Sequence, residues 1–433
     1  MTLDRRLIED FIPIREISAE SAYKGSISKL HLWWARRPLV ASRAAVFASL
    51  VEAPETHQKR SALTKAMIEL CEREVGKDVV DKAKKTILEA HRRRLGLSET
   101  ISLDKVPPPK VLDMFAGGGA IPLEALRLGC EVYAVDLNPV AHIIELCTLV
   151  YPQKYGKKLA DEVEQWAKWV IEQVRAEIGD LYPSIKVGEL ALEKSEQMEL
   201  LSQSKGKQLN FAQDLTPVAY LWTRTVKCPN PACGAQVPLV RQTWLCKKKD
   251  KYVALKVIPN HNTKRVEFDV AQSDTPNGLG FDPAIGSSGG TSTCRHCGAT
   301  VKKVHIKAQG KAGKMGQQLM AIICTKSGSS GKTYLSADAY RHYIPDENSN
   351  QTRLEKLCKE TGITVPSEPI FSADTRAFFT HLYGLDNFGK LFTSRQLFAL
   401  MTFVKWIKLA HQELIRKGYE EEFAGSIPLW QKA

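Results

Sequence analysis

Lys110-Val-Leu-Asp113-Met-Phe115-Ala-Gly117-Gly-Gly119 is the stretch on which the fold turns. A short apolar run ends in an acid and passes straight into a glycine-rich turn. Ile121 to Leu128 then reads as a helix, closed by Gly129. Cys130 to Asp136 reads as a second strand and Pro139 to Leu149 as a second helix. Repeated strand–helix units of this kind build parallel sheets, so the expected fold class is α/β with a Rossmann-like sheet. The turn between Phe115 and Gly119 brings backbone close to a ligand at positions where a Cβ would collide. The helix that follows points its amide dipoles at the same spot. Asp136 lies 23 residues after Asp113 at the tip of the second strand, where a carboxylate can accept hydrogen bonds from ribose hydroxyls.

The identity of the ligand turns on Asp113. A dinucleotide fold opens its phosphate loop with glycine directly after the strand, so that helix amides meet pyrophosphate. An acid at that point repels pyrophosphate and suits a ligand with an ammonium and a sulfonium. S-adenosylmethionine is therefore the expected cofactor, with dinucleotide binding and a ligand-free structural turn as the alternatives.

Outward from this unit the chain changes character twice. Residues 1–106 read as a helical N-terminal region, with helix-forming composition over Ala41 to Val51 and Val79 to Leu97. Three prolines, Pro107 to Pro109, separate it from the cofactor-binding region at 107–216. Within that region Gly156 to Gly179 reads as a long helix, with Trp166, Trp169, Val170 and Val174 available for a buried face. From Pro217 to about residue 331 come short β-rich pieces, clustered lysines and runs such as Gly286-Ser-Ser-Gly-Gly290, the mark of an inserted module. Helical patterns return over 332–433, notably Ser394 to Arg416.

The chain has 433 residues, of which 61 are Lys or Arg and 48 Asp or Glu, a net charge of +13. Residues 221–320 alone hold 16 basic against 5 acidic side chains, so most of the surplus lies in the inserted module. A surplus so placed favours an anionic partner, DNA above all, although a solvated lysine-rich surface has the same composition. No run of about eighteen apolar residues is present, so no membrane span is expected. Met1 to Asp10 lacks the apolar core of a signal peptide, and a cytoplasmic location is expected.

Four of the ten cysteines form two close pairs, Cys228-Pro-Asn-Pro-Ala-Cys233-Gly and Cys294-Arg-His-Cys297-Gly. Four thiolates at these spacings close a tetrahedral site around a structural Zn2+. Chance thiols or a redox pair are the other readings, and without an export signal a disulfide framework is the weaker one. The 60 residues between the pairs exceed what a minimal ribbon needs and imply a long basic excursion. His296 is expected to be exposed rather than a ligand. Cys71, Cys130, Cys147, Cys246, Cys324 and Cys358 show no pairing pattern and read as reduced thiols.

A third segment, Leu30-His31-Leu-Trp33-Trp34-Ala-Arg36-Arg37-Pro38, precedes an apolar helix. Its tryptophans and arginines suit stacking on a base or clamping a carboxylate, or else a buried aromatic anchor with surface arginines. Taken together and in this order, the segments resemble a family of adenine-specific DNA methylases with an inserted zinc ribbon. The likeness runs from Arg6 to about residue 416 through HLWWARRP at 31–38, VLDMFAGGGAIPLEAL at 111–126 and AVDLNP at 134–139. It continues through Pro217 to Trp222 ahead of CPNPACG, Gly313 to Gln317 and Leu391 to Leu397. The resemblance implies that Asp113, Phe115, Gly117 and Gly119 form the first methylase motif and Asp136 the second. It adds Asn138 to the cofactor-binding residues, together with Arg37 from a segment that abuts the cofactor's methionine end. The ribbon would stand in a target-recognition position.

Amino-methylases of this kind also use an [Asp/Asn/Ser]-Pro-Pro-aromatic loop, which grips the target amine and stacks on a flipped base. Asn138-Pro139, Asn230-Pro231 and Asp282-Pro283 each lack the second proline and the aromatic, and Pro107 to Pro109 follows Val106 and ends in Lys110. In the family that loop lies further toward the C-terminus than Ala433. The expectation is thus an S-adenosylmethionine-binding part of a DNA adenine N6-methyltransferase that needs a complementary catalytic polypeptide. A non-catalytic DNA-binding remnant and an RNA methyltransferase are the alternatives.

Overall fold

A computed structural model describes residues 5–19, 33, 37–72, 74–187, 213–326, 331–344, 346–370 and 379–432. The chain forms two compact units, the first from residues 1–170 and 407–433, the second from residues 171–406. Together they make a mixed α/β protein with a helical N-terminal region and several small sheets. No described helix is long and apolar enough to cross a membrane.

The first unit opens with α1 (Ile14–Ser18), α2 (Leu39–Leu50), α3 (His57–Leu70) and α4 (Lys77–Arg94). Thr56 caps α3 by accepting the Lys59 N–H, and α4 buries Ala83, Ile87 and Ala90 at helical spacing. After Pro107–Pro109 come β1 (Lys110–Asp113), α5 (Ala120–Arg127), β2 (Glu131–Ala134) and α6 (Pro139–Glu145). β1 and β2 pair in parallel from Lys110 opposite Glu131 to Asp113 opposite Ala134. Val111 and Val132 turn one sheet face onto a core of Leu7, Phe47, Met67, Leu70, Ile87 and Leu128. Within that core the Arg43 guanidinium of α2 meets the Glu124 carboxylate of α5 at 2.6 Å, and both side chains are buried.

The opposite face of this strand pair is exposed among the described residues. Leu112, Tyr133 and Val135 alternate with half-buried positions and are all exposed, Leu112 by 60%. Parallel sheets are ordinarily covered on both faces; this pair is two-stranded and, among the described residues, packs through one face only.

The chain leaves α6 through a five-residue π-helical turn, Leu146–Val150, and continues into α7 (Tyr151–Ile178). The second helix thus runs past the expected end at Leu149 to a kink at Gly156, whose backbone (φ 56°, ψ −138°) is not helical, and the expected long helix starts from there. Of its expected buried face, Trp166, Val170 and Val174 are buried, and Trp169 meets Trp166 edge-on at 5.4 Å.

The second unit holds β3 (Ile185–Val187), β4 (Gln213–Lys227), β5 (Gln236–Pro238), β6 (Trp244–Lys248), β7 (Lys251–Asn260) and β8 (Arg265–Ser273). It continues with β9 (Ser292–Thr293), β10 (Thr300–Val301), α8 (Lys303–Lys311), β11 (Gly316–Lys326), β12 (Lys332–Ser336) and α9 (Glu347–Thr361). An antiparallel sheet in the order β12-β11-β4-β3 forms its centre, and β5 pairs with the far end of β4. β4 is 15 residues long and carries Pro217 inside it, opposite Cys324 and beside a bulge, where a missing N–H is tolerated. The excursion between the cysteine pairs is mostly the β6-β7-β8 meander. α10 (Ser394–Arg416) and α11 (Glu421–Lys432) close the chain, α10 with the limits expected of it. All ten cysteines are free of disulfides, and Cys71, Cys130, Cys147 and Cys324 are buried.

Candidate cofactor loop and metal centre

β1 ends at Asp113, whose Oδ1 accepts the Phe115 N–H at 3.1 Å and so starts the turn. The loop is tied to the second strand by Asp136. Its two carboxylate oxygens accept the Gly117 N–H at 2.9 Å and the Asn138 N–H at 2.8 Å. A carboxylate offers about four lone-pair directions, so both anchors leave acceptor capacity for ligand hydroxyls. Gly117 (φ 56°) and Gly119 (φ 74°) lie in the left-handed region that favours glycine. Phe115 projects into solvent, 86% exposed.

The glycines answer to neighbours within the chain. A Cβ on Gly117 would come within 2.7 Å of Trp33 Nε1, and one on Gly118 within 3.3 Å of Trp33 Cβ. Trp33 and the loop, 84 residues apart in sequence, are therefore packed together. A Cβ on Gly119 would lie 3.2 Å from Leu149 Cδ1 and 3.6 Å from Glu145 Cγ. Arg37 is exposed just ahead of α2, whereas His31, Trp34 and Arg36 lie outside the described residues. Asn138 spends its side chain on capping α6, accepting the Val140 N–H at 2.9 Å.

One residue of this site escaped the reading of the sequence. Glu145, at the end of α6, is 5% exposed, and its Oε1 is buried without a hydrogen-bond partner. Burial, with Asp136 and then Asp113 adding their charge, pushes its carboxyl up to about 7. It lines a cavity of about 550 Å3 together with Leu126, Ala134, His142, Leu149 and Lys154. An acid in the apolar run Ile143-Ile-Glu-Leu-Cys147 was the signal available. Three carboxylates around a glycine turn, one of them orphaned, fit a ligand that brings hydroxyls and positive charge. S-adenosylmethionine has both.

The metal centre is built by two hairpins of the second unit. The end of β4 pairs with β5, Lys227 opposite Gln236, and holds Cys228 and Cys233 in the turn. β9 pairs with β10, Thr293 opposite Thr300, and holds Cys294 and Cys297 the same way. Each turn closes at a left-handed glycine, Gly234 (φ 63°) and Gly298 (φ 71°), and backbone bonds Cys228 N–H to Ala235 and Cys294 N–H to Ala299 fix it. The four sulfurs lie within 4.8 Å of one another. Cys228 Sγ is 3.7 Å from Cys297 Sγ and Cys233 Sγ 3.8 Å from Cys294 Sγ. A tetrahedron with metal–sulfur bonds of about 2.3 Å has edges of about 3.8 Å, so the cluster can hold a metal ion and has the dimensions for structural zinc. The Ala299 N–H holds the exposed Cys297 thiol down at about 7, while burial pushes Cys228 up to about 12.

His296 is half-buried rather than exposed. Its Nε2 lies 3.2 Å from the Arg265 carbonyl and its ring meets His261 edge-on at 5.2 Å. Packing against the meander holds it there, outside the sulfur cluster. Within the second unit the basic surplus takes two forms. Lys247, Lys248 and Lys249 stand exposed at the β6–β7 hairpin tip, with Lys247 over the Trp244 ring at 4.5 Å. Lys302, Lys303 and Lys311 are exposed on and beside α8, directly after the second knuckle.

Among known proteins, a family model described as a protein of unknown function (DUF1156) matches residues 11–73, which contain the tryptophan segment and α2. No curated protein and no solved structure matches the chain.

Proposed function

We propose that this chain is the S-adenosylmethionine-binding part of a DNA adenine N6-methyltransferase, with its zinc module serving DNA recognition and its catalytic loop supplied from outside these 433 residues. The observation that carries the reading is the Asp136 carboxylate, which ties Gly117 to the tip of β2 and keeps acceptor capacity for a ribose. Asp113 at the tip of β1 supplies negative charge where a pyrophosphate would be repelled. Trp33 walls the same glycines. Bound there, S-adenosylmethionine would supply an electrophilic sulfonium methyl group. The residues of this chain would orient it, and none of them is assigned proton transfer or attack.

Two further features support the reading. The bare face of the β1–β2 pair invites further strands and helices, as a complementary catalytic half would provide. Exposed lysines of α8 stand beside a centre of zinc dimensions, and others cluster at the β6–β7 tip at the far end of the meander, each suited to phosphate contacts that position a duplex. RNA as the substrate, and a remnant that keeps the fold without chemistry, are outcomes of the tests.

The deciding experiment is equilibrium binding of labelled S-adenosylmethionine to the purified, zinc-loaded chain. Saturable binding that is lost in Asp136→Ala, with the circular dichroism spectrum unchanged, is the expected result. Absence of binding in a folded sample refutes the cofactor reading. Little or no methyl transfer is expected from the chain alone, and robust activity on DNA would overturn the assignment of the catalytic loop to another segment. Parallel assays on RNA and DNA with the reconstituted enzyme separate the two substrates.

A further inference from the structure

We infer that Glu145 is a third carboxylate of the cofactor site, one that meets a positive charge of the ligand from beneath the glycine loop. The inference rests on the cofactor reading above and extends it to a residue that no sequence motif marks. Three observations of different kinds converge on this side chain. It lies directly under the loop, its Cγ 3.6 Å from where Gly119 would carry a Cβ. Its Oε1 is sealed from solvent with no partner, in a residue only 5% exposed, a cost that ordinary packing avoids. The helix widens into a π turn at the very next residue, Leu146–Val150, a distortion that tends to occur where a helix serves a site.

The charges facing Glu145 are of mixed sign. Asp113 and Asp136 look at it from the tips of the two strands, and His142 lies one turn earlier on its own helix. Lys154 of α7 lines the same cavity but is engaged by Glu422 of α11. The two aspartates and the burial oppose ionisation, so near neutrality the empty site holds a proton on this carboxyl about half of the time. A cation docking against the loop reverses the balance. The carboxyl then gives its proton to solvent and the carboxylate faces the ligand's charge. Cofactor binding becomes linked to proton release, and affinity climbs with pH through neutrality. A ligand lacking the sulfonium charge, such as S-adenosylhomocysteine, gains less from this carboxylate, which makes Glu145 a specificity residue for the charged cofactor.

The test is titration calorimetry of S-adenosylmethionine into the whole chain, in pairs of buffers with different ionisation enthalpies. Wild-type protein should release about half a proton per ligand at pH 7, and its affinity should fall about ten-fold from pH 8 to pH 6. Glu145→Gln, an isosteric change that can fold as the parent does, should release none and show a flat profile over that range. His142→Asn should keep the wild-type profile, which assigns the proton to the carboxyl rather than to the imidazole. A Glu145→Gln protein with the parental proton count and pH profile overturns the inference while leaving the cofactor reading intact. Failure of the wild type to bind at any pH instead removes the cofactor reading, and this inference with it.

Discussion

Replacing Glu124 by leucine should loosen the helix that follows the glycine-rich turn, by an amount the structure sets. Arg43 Nε donates to Glu124 Oε2 at 2.6 Å and Nη2 to Oε1 at 3.3 Å, and neither side chain reaches solvent. Arg43 Nη1 also donates to the Leu70 carbonyl at 2.7 Å, so one guanidinium holds α2, α3 and α5 together. Removing one member of a buried pair leaves an uncompensated charge and costs about 3–5 kcal/mol. The two members are not equivalent. Without Arg43, Glu124 still has Arg127 at 3.0 Å, whereas a guanidinium without Glu124 cannot shed its charge. Glu124→Leu should therefore cost more than Arg43→Met, and the double variant less than the Glu124 change alone. At about 1.4 kcal/mol per factor of ten, amide exchange over residues 120–127, followed by mass spectrometry, should quicken by about two to three and a half powers of ten. A change below ten-fold in Glu124→Leu, or a double variant as labile as that single one, would refute the reasoning.

Four other outcomes follow from the same structure. Wild-type protein should contain one zinc per chain and Cys233→Ser none, with chelation lowering the melting temperature of the second unit; a metal-free protein of unchanged stability would remove the structural role. Gly117→Val places a branched side chain at φ 56° and against Trp33, so S-adenosylmethionine affinity should drop at least ten-fold with α4 exchange unchanged; parental affinity would exclude the loop from the site. Glu145 keeps its proton in the fold to about pH 7, while an unfolded glutamate releases it near 4.5, so its contribution to stability falls as pH rises between those values and the full penalty stands above them. Glu145→Gln should accordingly stabilise the ligand-free chain by about 2–4 kcal/mol at pH 8 and by little at pH 5, and equal melting temperatures at pH 8 would contradict this. Lys248→Ala with Lys249→Ala should flatten the slope of log affinity for DNA against log salt by about 1 to 2; an unchanged slope would take the hairpin tip out of the interface.

The elements with strong local signals were legible in the sequence. The β1–α5–β2–α6 order, α10 and the two thiol turns each follow from residues close together, because glycine after an apolar run, 3.6-residue spacing and paired cysteines act locally. The meander between the two cysteine pairs was not legible beyond its β-rich character, since antiparallel register depends on which strand finds which partner. Pro217 looked like a boundary and is instead inside β4, tolerated by the bulge at Cys324. Glu145 was missed because a lone acid on a helix is usually a solvated one. Only the return of α6 beneath Gly119 buries it. The same holds for Arg43, whose partner stands 81 positions away.

The open side of the β1–β2 pair bears on the life of the chain in a cell. Leu112, Tyr133 and Val135, with Phe115 at the rim, form the kind of apolar display by which quality-control machinery distinguishes unassembled from finished protein. Left uncovered, such a face would make the chain a client for chaperones and proteases. Its abundance would then be governed less by its own rate of synthesis than by the supply of whatever docks there. With a complementary half docking there as proposed, a cell would hold this protein at the level of that half and clear the excess.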